Sequence, residues 1–225
     1  MNKKEINTRR NFISAMAMGV TASSLSILTN PIYANDSRFF PNQLDDADDW
    51  FKNIKGKHRI VYDGSMPNNG FPVIWNWAYY ETNNQTGSKD KDITALTVFR
   101  HGASGLGYDD VIWEKYQLGA VLKITDSQTK KSSVRNLFYD PKPGDFPLPE
   151  IQGIKKLQER GALFCVCDLA TKKLTKTIAE KMNLNPAEVY ADWISHLLPG
   201  IQLVPSGVWA LGRAQEHGCG YIYAG

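Results

Sequence analysis

The stretch GALFCVCDLATKKLTKTIAEKM, residues 161–182, sets the fold. Gly161 ends the helix before it, because glycine tolerates the left-handed conformation of a helix C-cap. The apolar run 162–167 reads as a strand ending at Cys167, and Asp168 is placed to cap a helix over 169–182. A second stretch, PGIQLVPSGVWALGRAQEHGCGYIYAG at residues 199–225, repeats the plan. Pro199-Gly200 closes one helix, 201–204 is a strand, 206–217 a helix, and 221–223 a last short strand. Strands alternating with helices imply a mainly parallel sheet covered on both faces.

Upstream the alternation continues. Residues 58–62 form a first strand that runs into Asp63-Gly64-Ser65-Met66-Pro67, a turn by composition. Val73, Trp77 and Tyr80 recur at helical spacing within 72–83. The β-rich run 93–99 leads into Arg100-His101-Gly102-Ala103-Ser104-Gly105-Leu106-Gly107, with a helix from about 108. Two uses suit those glycines: a tight turn needing positive φ, or a helix start whose N–H groups hold an anion. Their spacing is neither GxGxxG nor a Walker loop, so no nucleotide or other cofactor is specified.

Residues 119–150 break the rhythm. Extended segments at 121–125 and 134–138 flank a polar 126–133, and four prolines crowd 140–149. This segment is expected as a surface insertion lying over the strand ends. Helices 151–160 and 187–198, the latter holding Trp193 and His196, restore the pattern. The expected fold class is therefore α/β, a three-layer sandwich of Rossmann or flavodoxin type spanning 58–225.

Residues 1–34 read as an export leader. Thr8-Arg9-Arg10-Asn11-Phe12-Ile13 fits the twin-arginine pattern, a weakly apolar run 13–28 follows, and Pro31-Ile32-Tyr33-Ala34 ends at a cleavage boundary. The expected location is the periplasm, with no membrane span once the leader is removed. Residues 35–57 form a polar, acidic arm packed through Trp50-Phe51. Its aspartates, Asp45, Asp46, Asp48 and Asp49, lack the glycine and terminal Glu of an EF-hand loop. Four of the 26 bases and one of the 23 acids lie in the leader, leaving 22 of each. A neutral domain gives no reason to expect nucleic acid or an anionic membrane as partner. With Trp75, Trp77 and Trp113 expected on helix surfaces, that neutrality favours a homo-oligomer.

Ligands of parallel sheets gather at the carboxyl ends of the strands. Those ends place Asp63, His101, Cys167 and Ser206 along one edge. In an oxidising compartment three cysteines cannot all pair within one chain. Cys165 and Cys167 lie on one strand face about 6.5–7 Å apart with nearly parallel Cβ vectors, at the limit for a disulfide. Cys219 reaches one of them only if their strands are neighbours. Cys167 sits at a helix start, where amides favour a thiolate; Asp168 opposes this, and Lys172 and Lys173 offset it. The alternative is a buried structural thiol. His101 serves as acid, base or ligand beside Cys167, or is simply hydrogen-bonded at its strand end. Asp63, Gly102, Ser104, Ser206 and Gly207 are the candidate ligand-binding positions, Ser206 being also a natural N-cap with anion contact as a second use. Cys219, His217 and His196 have no metal-ligand spacing that would join them to Cys167, so no metal is expected. There is no G-x-S-x-G elbow for a serine hydrolase.

Gly161-Ala-Leu-Phe-Cys-Val-Cys167, Pro199-Gly-Ile-Gln-Leu-Val-Pro-Ser-Gly207-Val, Arg213-Ala-Gln-Glu-His-Gly218 with Tyr221-Ile222, and Val98-Phe-Arg-His101-Gly102 resemble the DsrE/DsrF-like family. The resemblance covers roughly 58–225, with a gap over the insertion. It implies a small α/β sandwich that assembles into trimers or hexamers. For the sulfur-relay branch it further implies a persulfide-carrying cysteine, which matches Cys167, and a sulfur-carrier or redox partner. The chain departs from that branch in its leader and in a second cysteine two residues earlier. The expected function is sulfur handling or thiol redox through Cys167. The alternatives are a non-catalytic oligomeric module that binds a small anion or a partner, and a metal or cofactor carrier.

Overall fold

The computed structural model describes residue 44 and residues 46–225, so the leader and residues 35–43 and 45 of the arm lie outside the described residues. Among the described residues there are five strands: β1 (His58–Gly64), β2 (Ile93–Phe99), β3 (Leu163–Cys167), β4 (Ile201–Val204) and β5 (Gly220–Tyr223). They form one sheet, parallel throughout, in the order β4-β3-β2-β1-β5. The helices are α1 (Ala47–Trp50), α2 (Phe71–Gln85), α3 (Asp110–Lys115), α4 (Leu118–Leu122), α5 (Ile154–Glu159), α6 (Asp168–Met182), α7 (Pro186–Ser195) and α8 (Gly207–Glu216). The fold is the expected three-layer α/β sandwich.

Side chains alternate across the pleat and build a core on each face. Ile60, Tyr62, Ala95, Phe99, Phe164, Val166, Ile201 and Leu203 belong to one core, which α2, α5, α6 and α7 complete. Val61, Leu96, Val98, Cys165 and Val204 belong to the other, closed by Ala47, Phe51 and Ile54 and by Ala210, Leu211 and Ala214 of α8. Strands buried on both faces read as continuous apolar runs, which is why β2 and β4 have the expected bounds. Phe51 meets Trp209 edge-on, with ring centroids 5.6 Å apart, so the arm does pack through its aromatics.

The order of the strands explains this division of helices. From β1 to β4 the chain steps in one direction, and the last connection returns across the sheet to place β5 beside β1. Right-handed crossovers put outgoing and returning helices on opposite faces. Hence α8 alone of the crossover helices covers the second face.

The insertion differs from its expectation. Residues 121–125 are not extended: α4 occupies Leu118–Leu122, and a single antiparallel bridge joins Thr125 to Ser132. Residues 134–138 form no strand. Leu137, Phe138, Phe146 and Ile151 are buried in the first core, so burial of side chains, rather than strand pairing, shapes the segment. Asn136 Nδ2 donates to the carbonyls of Leu106 and Tyr108, each at 2.8 Å. Arg135 clasps Asp126 (Nε–Oδ2, 2.7 Å) and both oxygens of Asp145 (2.8 Å each). The insertion is therefore part of the folded core. Trp113 is also corrected: it is fully buried and donates from Nε1 to the Gly105 carbonyl at 3.2 Å. Trp75 is exposed and Trp77 half-buried.

Candidate functional site

β3 runs into α6 on the first face, and its neighbour β4 runs into α8 on the second. Where adjacent strands send their loops to opposite faces, a crevice opens at the carboxyl edge. Cys167, the last residue of β3, lies beside Val204, the last of β4. Ser206 caps α8, its Oγ accepting the Trp209 N–H at 3.2 Å. Cys167 ends β3 and Ser206 follows β4, so the two stand at the carboxyl ends of adjacent strands.

The cap of α6 is Cys167 itself rather than Asp168. Its backbone is extended (φ −71°, ψ 113°) and Sγ accepts the Ala170 N–H at 3.3 Å. Asp168 cannot serve because its carboxylate turns elsewhere: Oδ1 accepts from the Tyr190 hydroxyl at 2.6 Å, and Oδ2 pairs with Lys172 Nζ at 2.7 Å. Cys167 is 6% exposed and Cys165 fully buried. Burial, helped by the neighbouring Cys167, pushes the Cys165 thiol well above its ordinary range. All three cysteines are free. Cys219 precedes β5, which β1 and β2 separate from β3, so the neighbour condition for a disulfide is not met.

Asp63 lies inside β1, not in a turn, and is 2% exposed. Its oxygens accept from Arg100 Nε at 2.6 Å, Arg100 Nη2 at 2.9 Å and the Tyr221 hydroxyl at 2.8 Å. With its acceptor atoms occupied, Asp63 is a clamp holding β1, β2 and β5 together. Its bonds to Arg100 also raise the pKa of that guanidinium. Arg100, to which the sequence reading gave no role, is the residue that organises this corner. A Cβ on Gly207 would come within 2.5 Å of Arg100 Cβ, so the arginine stem lies against the first turn of α8.

The loop after β2 corrects the expected use of its glycines. Positive φ falls on His101 (48°), while Gly102, Gly105 and Gly107 have none. The glycines are needed for close approach: a Cβ on Gly107 would lie 2.2 Å from Val166 Cγ2, and one on Gly102 would lie 2.8 Å from Met66 Sδ. Ser104 is buried and donates to the His101 carbonyl at 3.0 Å. His101 is exposed, and no hydrogen bond or ion pair joins it to Cys167 among the described residues. The buried Tyr108 hydroxyl bonds Thr171 Oγ1 at 2.8 Å, and burial raises its phenol strongly, with Asp168 and Cys167 adding to that rise.

A cleft of about 440 Å³ opens between Met66–Asn69 and Leu122–Ile124, with Gly225. It holds none of the expected site residues. His217 stacks on Phe51, and His196 Nδ1 bonds to the Asp192 carbonyl oxygen. Among the described residues no group of three or more His, Cys, Asp or Glu is placed to hold a metal ion. No described helix is long and apolar enough to cross a membrane.

No family model and no curated protein matches the chain. Among solved structures it is similar to a protein of unknown function, MTH1491 from Methanobacterium thermoautotrophicum, at 14% identity. That match spans 74% of this chain and 98% of the other, with a TM-score of 0.39.

Proposed function

We propose that this chain is an exported, DsrE-like sulfur-handling protein that works in the periplasm through Cys167. One observation carries the reading: the Cys167 thiol caps α6 at the crevice between β3 and β4, where helix amides stabilise negative charge on sulfur. The chemistry needs no external oxidant. The Cys167 thiolate attacks the outer sulfur of a donor persulfide R–S–SH. A new S–S bond forms on Cys167 as the donor's S–S bond breaks, giving Cys167–S–SH and the leaving thiolate R–S⁻.

The second reading is a non-catalytic module that holds a small anion or a partner at this edge. The start of α8 at this edge, capped by Ser206, favours it, since helix N–H groups attract anions. Both readings include a homo-oligomer, with a trimer implied by the family resemblance. The exposed strand Gly220–Tyr223 at one sheet edge supports association.

Mass spectrometry of the folded protein after treatment with a low-molecular-weight persulfide separates the readings. The expected result is one added sulfur atom on Cys167, lost in Cys167→Ser, with Cys165 and Cys219 unmodified. If Cys167 takes up no sulfur and reacts with iodoacetamide only after denaturation, the thiol is structural and the binding reading stands.

A further inference from the structure

Asp168 is a buried carboxylate directly after the thiol, on the first residue of a 15-residue helix. A carboxylate there competes with a thiolate for the same helix amides and repels it. Two contacts answer that charge. Tyr190, from α7, donates its hydroxyl to Oδ1 at 2.6 Å. Lys172, one turn along α6, brings Nζ to 2.7 Å from Oδ2 and lies over the Tyr190 ring at 5.4 Å from its centroid. The ammonium is therefore held both by an anion and by an aromatic face, and its side chain is only 26% exposed.

Of the other titratable groups near Cys167, Lys173 on α6 is exposed, where solvent screens its charge. Tyr108, packed against α6, and Cys165, deeper on β3, are both held neutral by burial. At the end of β2, Arg100 is committed to Asp63, and His101 makes no bond to the thiol. On β4 the facing residue is Val204.

We propose that Lys172 and Tyr190 are positioning residues for Asp168, Lys172 balancing its charge and Tyr190 fixing its carboxylate by a hydrogen bond, so that the amides of α6 remain available to a Cys167 thiolate. This rests on the sulfur-handling reading of Cys167. Lys172 acts through Asp168 and touches no reacting atom. The arrangement explains why a buried acid is present beside a reactive thiol: the acid anchors α7 through Tyr190, and the lysine removes its electrostatic cost.

The test is the pH dependence of Cys167 alkylation by iodoacetamide in the folded, full-length protein, followed by peptide mass spectrometry. Asp168→Asn removes the negative charge and leaves Lys172, so the midpoint should fall and the rate at neutral pH rise. Lys172→Met leaves the carboxylate unbalanced, so the midpoint should rise and the rate fall. A shift of one pH unit corresponds to roughly a tenfold change in rate in either direction. Lys172→Arg keeps the charge and should behave as wild type. If the cluster only braced α6 against α7, Asp168→Asn and Lys172→Met would shift reactivity the same way or not at all, and this inference would be lost while the thiol reading survived. A wild-type Cys167 that is inert in the folded protein would overturn both.

Discussion

Arg100 grips Asp63 through two hydrogen bonds, Nε to Oδ1 at 2.6 Å and Nη2 to Oδ2 at 2.9 Å, joining the residue that follows β2 to one 37 positions earlier on β1. The pair is asymmetric in exposure: Asp63 is 3% exposed at its side chain and Arg100 28%. Breaking a pair whose acid is buried leaves an uncompensated charge, which is costly. The clamp also fixes where the arginine stem lies, and that position determines what α8 can carry at its first residue.

Gly207→Ala places a methyl group 2.5 Å from Arg100 Cβ, too close without a backbone shift. Overpacking of this kind costs about 1–3 kcal/mol, and each kcal/mol lowers Tm by about 2–4 °C in a domain of this size. Gly212, in the same helix, has no atom within 4 Å of the position its Cβ would take. Gly212→Ala should therefore stabilise by about 0.5–1 kcal/mol through helix propensity. Thermal unfolding of the two variants should move in opposite directions. Two shifts of the same sign would refute the packing account of Gly207.

The clasp in the insertion gives a pH signature. Asp126 is held below the usual carboxylate range by the Thr129 and Gln128 amides and by Arg135, which together outweigh burial. Burial pushes Asp145 up, but Arg135, Ser127 and the Lys142 amide outweigh it and leave that carboxyl lowered as well. A depressed folded value means stability that is present above the unfolded value of about 3.9 and lost as pH falls through the folded value. Arg135→Met should cost about 3–5 kcal/mol at neutral pH, because two buried acids lose their partner. The gap between wild type and variant in urea unfolding should then narrow below about pH 4, as those acids protonate. A gap that stays constant across that range would exclude this origin.

Association through β5 is testable by charge. Tyr221, Ile222 and Tyr223 are 47%, 44% and 58% exposed on a strand that has no charged residue and, among the described residues, pairs on one side alone. Natural edge strands resist pairing when a lysine is placed on them. If β5 mediates assembly, Ile222→Lys should convert the oligomer seen by light scattering into monomer at micromolar concentration, with Tm nearly unchanged. A wild-type protein that is already monomeric at that concentration would rule assembly out.

The fold was legible wherever local pattern and burial agree. β2 (ITALTVF) is rich in β-branched and apolar residues, β4 (IQLV) is bounded by Pro199-Gly200 and Pro205, and the expected bounds of both match. Residues 121–125 failed because Val121, Leu122 and Ile124 are equally suited to strand or helix, and only packing near Ser133 decides; a Cβ on Gly119 would lie 2.1 Å from the Ser133 carbonyl oxygen. Trp113 was read as a surface residue because a short helix gives too few turns to show which side is buried. The site was half legible. That Cys167 and Ser206 share an edge follows from the alternation of elements. That Asp63 is spoken for could not be read, because its partners Arg100 and Tyr221 stand 37 and 158 residues away. Cys167 displaced Asp168 as cap because Tyr190, 22 residues on, claims the aspartate.

The place of β5 governs how the molecule comes together. β1 is among the first strands made and lies inside the sheet, yet one of its two neighbours is the last strand in the chain. The Tyr221–Asp63 bond closes a loop of 158 residues, so the sheet is not finished until everything between them has been synthesised. Contacts of such long separation slow folding. Until β5 arrives, one edge of β1 stands open with Asp63 short of a donor. A nascent or truncated chain that stops before residue 220 should thus present a sticky, half-paired strand from the middle of its own sheet, and quality-control proteases would meet it there first.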